Sequence, residues 1–262
     1  MKIVVCIKQV PDTSEVKLDP KTNTLIREGV PSIINHDDKA GLEAALSLRE
    51  AVGGTVTVVS MGPPQAEMAL REALAMGADE AVLLSAREFG GSDTYATATI
   101  IATGLRKLGF DLIITGRQAI DGDTAQVGPQ IAEQLNIPQV SYGEKITYDS
   151  GKLLVTRQYE EESHVLMVKL PCLVTSLSEL ATPRYMSVGG IVDAFAKEIK
   201  VWGFEDLKDD LHPEWIGLNG SPTKVFKSFG KELRAPGTIK TNISADEAVA
   251  VIMDKLIAQH II

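Results

Sequence analysis

Apolar positions in the first half of the chain follow two rhythms. Short unbroken apolar runs at residues 2–9, 55–60, 81–84 and 111–115 suit strands buried on both faces. Between them, apolar residues recur three and four apart. Residues 38–51 carry Leu42, Ala45, Leu46 and Leu48 at helical spacing, with Asn35, Asp37 and Asp38 as cap candidates. A second helix is predicted over 65–75, entered through Pro63 and Pro64 and closed by Gly77. A third spans 93–108, capped by Ser92 or Asp93 and stopped by Gly109, and a fourth spans 126–135. Strands alternating with helices predict right-handed βαβ units. The expected fold class is α/β, a doubly wound, mostly parallel sheet with helices on both faces.

After about Tyr142 the rhythm changes. Residues 144–148, 153–159 and 165–169 alternate like antiparallel strands, and Asp149-Ser-Gly-Lys152 has the composition of a hairpin turn. Residues 170–176 return to a buried run, so the expectation is an antiparallel strand extension of the same sheet. Beyond Leu177, Gly, Pro and charge recur, with Trp202, Phe204, Trp215, Phe226 and Phe229 scattered among them. Residues 244–258 close with an amphipathic helix carrying Ala248, Val249, Ile252, Leu256 and Ile257 on one side. Five large aromatics argue against disorder. The chain is therefore divided into an α/β domain, 1–177, and an extended C-terminal arm, 178–262, that is expected to bury its aromatics on another subunit.

Composition removes several function classes. The formal net charge of -9 argues against nucleic acid and against anionic membranes. No apolar run approaches the ~20 residues of a membrane span. The opening Met-Lys-Ile-Val-Val-Cys is already strand-like, which is not the pattern of a signal peptide, and a cytoplasmic location is expected. Cys6 and Cys172 both sit in strand-like contexts and read as reduced core residues, and the four His show no metal spacing. No Ser-His-Asp, Cys-His or paired-carboxylate constellation stands out, so no catalytic residue is assigned. The chemistry belongs to a cofactor that the protein binds and orients.

The candidate site is Gly116-Arg-Gln-Ala-Ile-Asp-Gly-Asp-Thr-Ala-Gln-Val-Gly-Pro129, a turn between a buried strand and a helix. Helix N-termini offer unpaired N–H groups and a positive dipole end, which suits phosphate. Gly116, Gly122 and Gly128 allow close backbone approach. Asp121 and Asp123 can accept from sugar hydroxyls or cap the helix, and Thr124 and Gln126 can donate to phosphate oxygens. Pro129 belongs in the first helical turn. The plain alternative is a polar loop without a ligand.

This loop does not stand alone. Val4-Val-Cys-Ile-Lys-Gln-Val-Pro-Asp-Thr13, Ile34-Asn-His-Asp-Asp-Lys-Ala-Gly-Leu-Glu-Ala-Ala-Leu46, Ser60-Met-Gly-Pro63 and Ala73-Leu-Ala-Met-Gly-Ala-Asp79 precede it in order. Together they closely resemble the beta subunit of electron-transferring flavoproteins, over nearly the whole chain. The resemblance implies pairing with a flavin-holding alpha subunit, over which the C-terminal arm wraps. It also implies four nucleotide contacts: Cys6 near adenine, the turn Asn35, Asp37 and Asp38, then Met61, then residues Gly116, Arg117, Gln118, Ala119, Ile120, Asp121, Gly122, Asp123, Thr124, Ala125, Gln126 and Val127. The turn departs from the commoner Asn-Pro-Phe/Tyr pattern at His36 and Asp37.

Many relatives read Gly-Lys-Gln-Ala-Ile-Asp-Asp-Asp-Cys-Asn-Gln here and hold AMP alone. Gly122, Thr124 and Ala125 replace Asp, Cys and Asn, removing bulk and one negative charge. Gly-Asp-Thr-Ala-Gln-Val-Gly-Pro thus resembles the electron-bifurcating branch, which implies FAD in place of AMP and NADH as electron donor. Phe89-Gly-Gly-Ser-Asp-Thr-Tyr-Ala-Thr97 resembles that branch too, and implies Thr94 and Thr97 near the flavin or the incoming nicotinamide. Ser92 or Asp93 could equally be plain helix caps. One electron is expected to pass through the alpha flavin toward an acyl-CoA dehydrogenase-type enzyme, the other to ferredoxin or flavodoxin. Leu180-Ala-Thr-Pro-Arg-Tyr-Met-Ser-Val188 resembles the family's docking loop, with Arg184, Tyr185 and Val188 as partner contacts and Val188 in place of the usual leucine. The alternatives are a simple carrier subunit holding structural AMP, a purely structural nucleotide-binding subunit, and a stand-alone enzyme such as an ATP pyrophosphatase. Lys8-Gln-Val-Pro-Asp12 argues against the last, which would carry a Ser-Gly-Gly-x-Asp-Ser type loop there.

Overall fold

The computed structural model describes residues 1–12, 31–149, 151–226, 237 and 239–262. They fall into two compact units, Met1–Phe226 and Lys227–Ile262. In chain order the first unit contains β1 (Lys2–Cys6), β2 (Gln9–Pro11), β3 (Ser32–Ile34), α1 (His36–Val52), β4 (Thr55–Met61), α2 (Glu67–Met76), β5 (Glu80–Leu84), α3 (Thr94–Leu108), β6 (Leu112–Gly116) and α4 (Val127–Leu135). It continues through β7 (Gln139–Asp149), β8 (Lys152–Gln158), β9 (Ser163–Val168), β10 (Cys172–Ser176), α5 (Val188–Ala196), β11 (Ile199–Trp202) and the single turn α6 (Gly217–Gly220). The second unit contains α7 (Ala245–Ala258).

A nine-stranded sheet runs β11-β5-β4-β1-β6-β10-β7-β8-β9. The strands from β11 to β7 pair in parallel, and β8 and β9 extend the sheet antiparallel. The α/β fold with an antiparallel extension is therefore as the apolar rhythm predicts. The period of two along β1 shows why. Ile3 and Val5 enter one core with Leu42, Leu46, Leu70 and Ala194, while Val4 and Cys6 enter the other with Ile100, Leu105 and Ile131. Helices α1, α2 and α5 cover the first face, and α3 and α4 the second. From β1 the chain winds outward through β4 and β5, then crosses back to β6 and β10. That reversal beside β1 opens a crevice at the carboxyl ends of β1 and β6, where doubly wound sheets bind ligands.

Several boundaries differ from the sequence expectation. The first apolar run splits at Cys6. A second short strand, β2, starts at the run's last residue, Gln9, and pairs with β3 in a separate two-stranded sheet. The second helix opens with a 3₁₀ turn, Pro64–Ala66. β7 begins at Gln139, because its first residues pair in parallel with Leu173 and Val174 of β10. The β7–β8 turn includes residue 150, outside the described residues, but Asp149 does pair with Lys152. Residues 188–202, read as part of an irregular arm, form α5 and the edge strand β11. Leu207, Leu211 and Ile216 are buried beyond them. Cys6 and Cys172 are buried free thiols, as expected.

Candidate functional site

The crevice is a cleft of about 520 Å³, within the range of small-molecule sites. Most of the expected contacts line it: Cys6, Asp38, Met61, Thr94, Thr97, Gly116, Arg117, Gln118, Ala119, Gly122, Asp123, Thr124, Ala125, Gln126 and Val127. Asn35, Asp37, Ile120 and Asp121 do not line it. Three of these four brace the loop or the residues beside it.

Asn35 is the N-cap of α1 but makes no side-chain cap bond. Its buried amide turns instead to the loop, where Nδ2 donates to the Gln118 carbonyl at 2.8 Å and Oδ1 accepts from the Ile120 N–H at 3.1 Å. Asp38 ties two strand ends together. Its Oδ1 accepts from Gly116 N–H at 2.9 Å and its Oδ2 from Lys8 N–H at 2.7 Å. Burial pushes the Asp38 carboxyl up to about 7, against the bonds from Lys8, Asn35 and Gly116. Asp37 lies 3.5 Å from Arg117 Nε, and its pKa is raised because burial outweighs the Arg117 charge. Asp121 is held by Lys8 Nζ at 2.6 Å. The acids that sequence reading offers as ligand contacts thus act first as internal braces. A sequence pattern does not distinguish these roles.

The loop and the start of α4 have the character of an anion site. Asp123 (φ = +48°) and Ala125 (φ = +52°) adopt left-handed backbone; the Gly122 and Asp123 N–H groups donate to the Ala119 carbonyl at 3.1 and 2.9 Å, which closes the turn ahead of α4. The N-cap of α4, Gln126, makes no side-chain cap bond, so the first-turn N–H groups face no capping oxygen of their own. Gln126 Oε1 accepts instead from the Thr94 hydroxyl at 2.8 Å. Gly128 lets α4 lie close on the sheet, since a Cβ there would sit 2.6 Å from Thr115 Oγ1. A Cβ on Gly122 would meet nothing within 4 Å, so space is open beside the loop. Ser92, Thr94, Thr97 and Thr223 supply hydroxyls, and Cys6, Ile7, Met61, Ile101 and Ile131 an apolar lining. Burial pushes the Cys6 thiol up to about 12, so it stays neutral. N–H groups for a phosphate, hydroxyls and an apolar wall fit a nucleotide.

Lys8, Asp93 and Thr223 also line the cleft, and sequence reading assigned no ligand role to them. Asp93 is legible only as a helix cap, which it is: its Oδ1 accepts from Ala96 N–H at 3.0 Å.

The expected docking residues lie elsewhere. Arg184 is not a free cation. Its N–H, Nε and Nη2 bond Glu43 of α1 at 2.9–3.1 Å, and Nη1 reaches Glu50 at 2.6 Å. Tyr185 is 100% exposed, and Val188, at the start of α5, is 81% exposed.

Among the described residues no helix is long and apolar enough to cross a membrane, and no group of His, Cys, Asp and Glu could hold a metal. Comparison with known proteins matches residues 22–207 to the electron transfer flavoprotein domain. The chain is 56% identical over 262 residues to an electron transfer flavoprotein subunit beta of Clostridium acetobutylicum, covering all of both chains. It is 54% identical over 264 residues to the caffeyl-CoA reductase-Etf complex subunit CarD of Acetobacterium woodii, again at full coverage. It is 48% identical over 269 residues to the acryloyl-CoA reductase electron transfer subunit gamma of Anaerotignum propionicum, also at full coverage. A family match over residues 22–207, with relatives about half identical over the whole chain and a cleft at the reversal of a doubly wound sheet, identifies the chain as a beta subunit of the electron transfer flavoprotein family.

Proposed function

We propose that the cleft holds FAD, that NADH is the electron donor, and that the chain works in a cytoplasmic heterodimer with an alpha subunit as part of an electron-bifurcating system. FAD, when bound, supplies the ability to accept an electron pair from NADH and release single electrons. The chain's own residues supply the setting. The α4 start and the left-handed loop bind the phosphates. Thr94 and Thr97 form a hydroxyl wall, and Cys6 and Met61 an apolar one. The observation that carries the reading is the open space at Gly122, which leaves room for more than a single phosphate. The names of two relatives, from caffeyl-CoA and acryloyl-CoA reductase systems, support an acyl-CoA dehydrogenase-type partner. Ferredoxin or flavodoxin would take the low-potential electron.

The deciding experiment counts flavin and AMP in the co-expressed heterodimer. Two flavins, no AMP and reduction by NADH are expected. One flavin with one AMP, and no reduction by NADH, would establish the simple-carrier alternative.

The exposed Tyr185 and Val188 are proposed to meet the dehydrogenase partner, and the C-terminal residues the alpha subunit. In α7, Val249, Ile252 and Ile257 are all exposed, as is Phe226 at the end of the first unit, the kind of apolar surface a partner covers. Phe229, expected to join them, lies outside the described residues. Deleting residues 227–262 is expected to abolish most heterodimer recovery on co-purification. Recovery of the truncated chain at full stoichiometry would remove the arm from the interface.

A further inference from the structure

Thr223 is far in sequence from every other residue of the cleft, yet it lines the same wall as Ser92, Asp93, Thr94 and Thr97. A set of bonds brings it there. The Thr223 N–H and hydroxyl both donate to Asp93 Oδ2, at 2.9 and 2.7 Å. The Asp93 N–H donates to Ser221 Oγ at 2.8 Å, and the Gly217 N–H to Ser92 Oγ at 3.0 Å. The contact at Gly217 is close: its φ is +64° and a Cβ there would sit 2.3 Å from the Glu88 carbonyl. Asp93 divides its carboxylate, one oxygen capping α3 and the other holding Thr223. Burial raises its pKa, but the Ala96 N–H and the Thr223 hydroxyl and N–H outweigh that and hold it below the ordinary range. Beyond Thr223 the chain is exposed at Lys224, and the first unit ends at Phe226.

We infer that residues 217–223 form a strap that completes the wall of the nucleotide cleft, with Thr223 as a ligand-facing residue and Asp93 as its latch. The inference rests on the cleft being a nucleotide site. A ligand that touches a strap binds better when the strap is closed, and in turn holds it closed. Nucleotide occupancy therefore sets how firmly the segment ahead of residue 227 is held.

The variant Asp93→Asn separates the latch from the helix. Asn caps helices as well as Asp does, so α3 keeps its N-terminus. An amide nitrogen at the Oδ2 position would face two donors, and the latch opens. In the heterodimer, limited trypsin cleavage after Lys224, read by mass spectrometry, is expected to speed up about tenfold in this variant. Nucleotide affinity is expected to fall by about the same factor. Thr223→Val, which keeps only the N–H bond, should fall between, and Thr223→Ser should match the unmodified protein. Saturating FAD should slow the cleavage in the unmodified heterodimer. If the flavin count instead shows AMP in the cleft, AMP is the nucleotide used, and the FAD reading alone fails. Equal cleavage in the unmodified protein and Asp93→Asn, including none in either, overturns the latch. Protection by neither nucleotide overturns Thr223 as a ligand-facing residue.

Discussion

Placing Asp at 122 and Asn at 125 together is expected to strip the proposed FAD from the cleft while leaving the fold intact. The backbone accepts both side chains. A Cβ at Gly122 meets no atom within 4 Å, and Asn tolerates the left-handed conformation of Ala125 (φ = +52°) better than Ala does. What changes is charge. A carboxylate about 4 Å from a phosphate costs about 4 kcal/mol at an effective dielectric of about 20 and about 1 kcal/mol in bulk water. Gly122 is exposed, so the water limit applies in part and FAD affinity should fall between about fivefold and a thousandfold. The double variant should retain the alpha-subunit flavin and stop oxidising NADH. Flavin release measured by fluorescence, with NADH oxidation followed in parallel, checks this. Unchanged retention of two flavins would show that the open loop does not select the dinucleotide.

Arg184→Met should cost stability rather than cofactor. Glu43 is 9% exposed, and Arg184, 33% exposed, is its cation. Removing one partner of a buried pair leaves a charge without an answer. The cost is about 3 kcal/mol, at the low end for buried pairs because Arg184 meets solvent. At roughly 2–4 °C per kcal/mol for a unit of this size, the melting temperature should drop by about 6–12 °C. Adding Glu43→Gln should recover part of the loss. The pH dependence has a definite sign. Burial opposes the Glu43 charge, but the Arg184 guanidinium and N–H win and hold the carboxyl below its ordinary value of 4.5. The stabilisation is therefore complete above that value and lost as pH falls through the lower folded-state value. The gap between the two proteins should narrow in acid, as thermal unfolding at several pH values would show. A gap that does not change with pH would mean that Arg184 works by packing alone.

The parts of the fold legible in the sequence are those that local chemistry determines. Asp93, Gly109 and Pro129 mark helix ends by their backbone demands, and the apolar runs mark strands buried on both faces. What escaped is decided at a distance. In α5, Gly189 and Gly190 disfavour a helix. The helix forms because Ser187 caps it and because Gly190 can lie where a Cβ would come within 2.6 Å of the Ala75 carbonyl. The four residues of β11 read as strand only beside β5. The cleft follows the same division. The loop 116–128 announces itself by composition, and Thr94 and Thr97 by resemblance. Thr223 belongs to the wall only because Asp93 draws it there. Asn35, a cap by residue type, spends its amide on loop carbonyl and N–H groups that no local pattern reveals.

Helix α1 touches both regions of interest. Just ahead of its first residue Asn35 braces the nucleotide loop, and Asp38 in its first turn joins the ends of β1 and β6. Further along, Glu43 and Glu50 grip Arg184. From Asp38 to Glu43 and Glu50 the helix advances about 8 and about 18 Å. Such a helix works as a ruler. The span between the crevice and the segment carrying Tyr185 is set by helical rise, which does not stretch. Electron transfer depends steeply on separation, so under the docking role proposed for Tyr185 and Val188, substitutions there would change which partner is met while the ruler keeps the span constant.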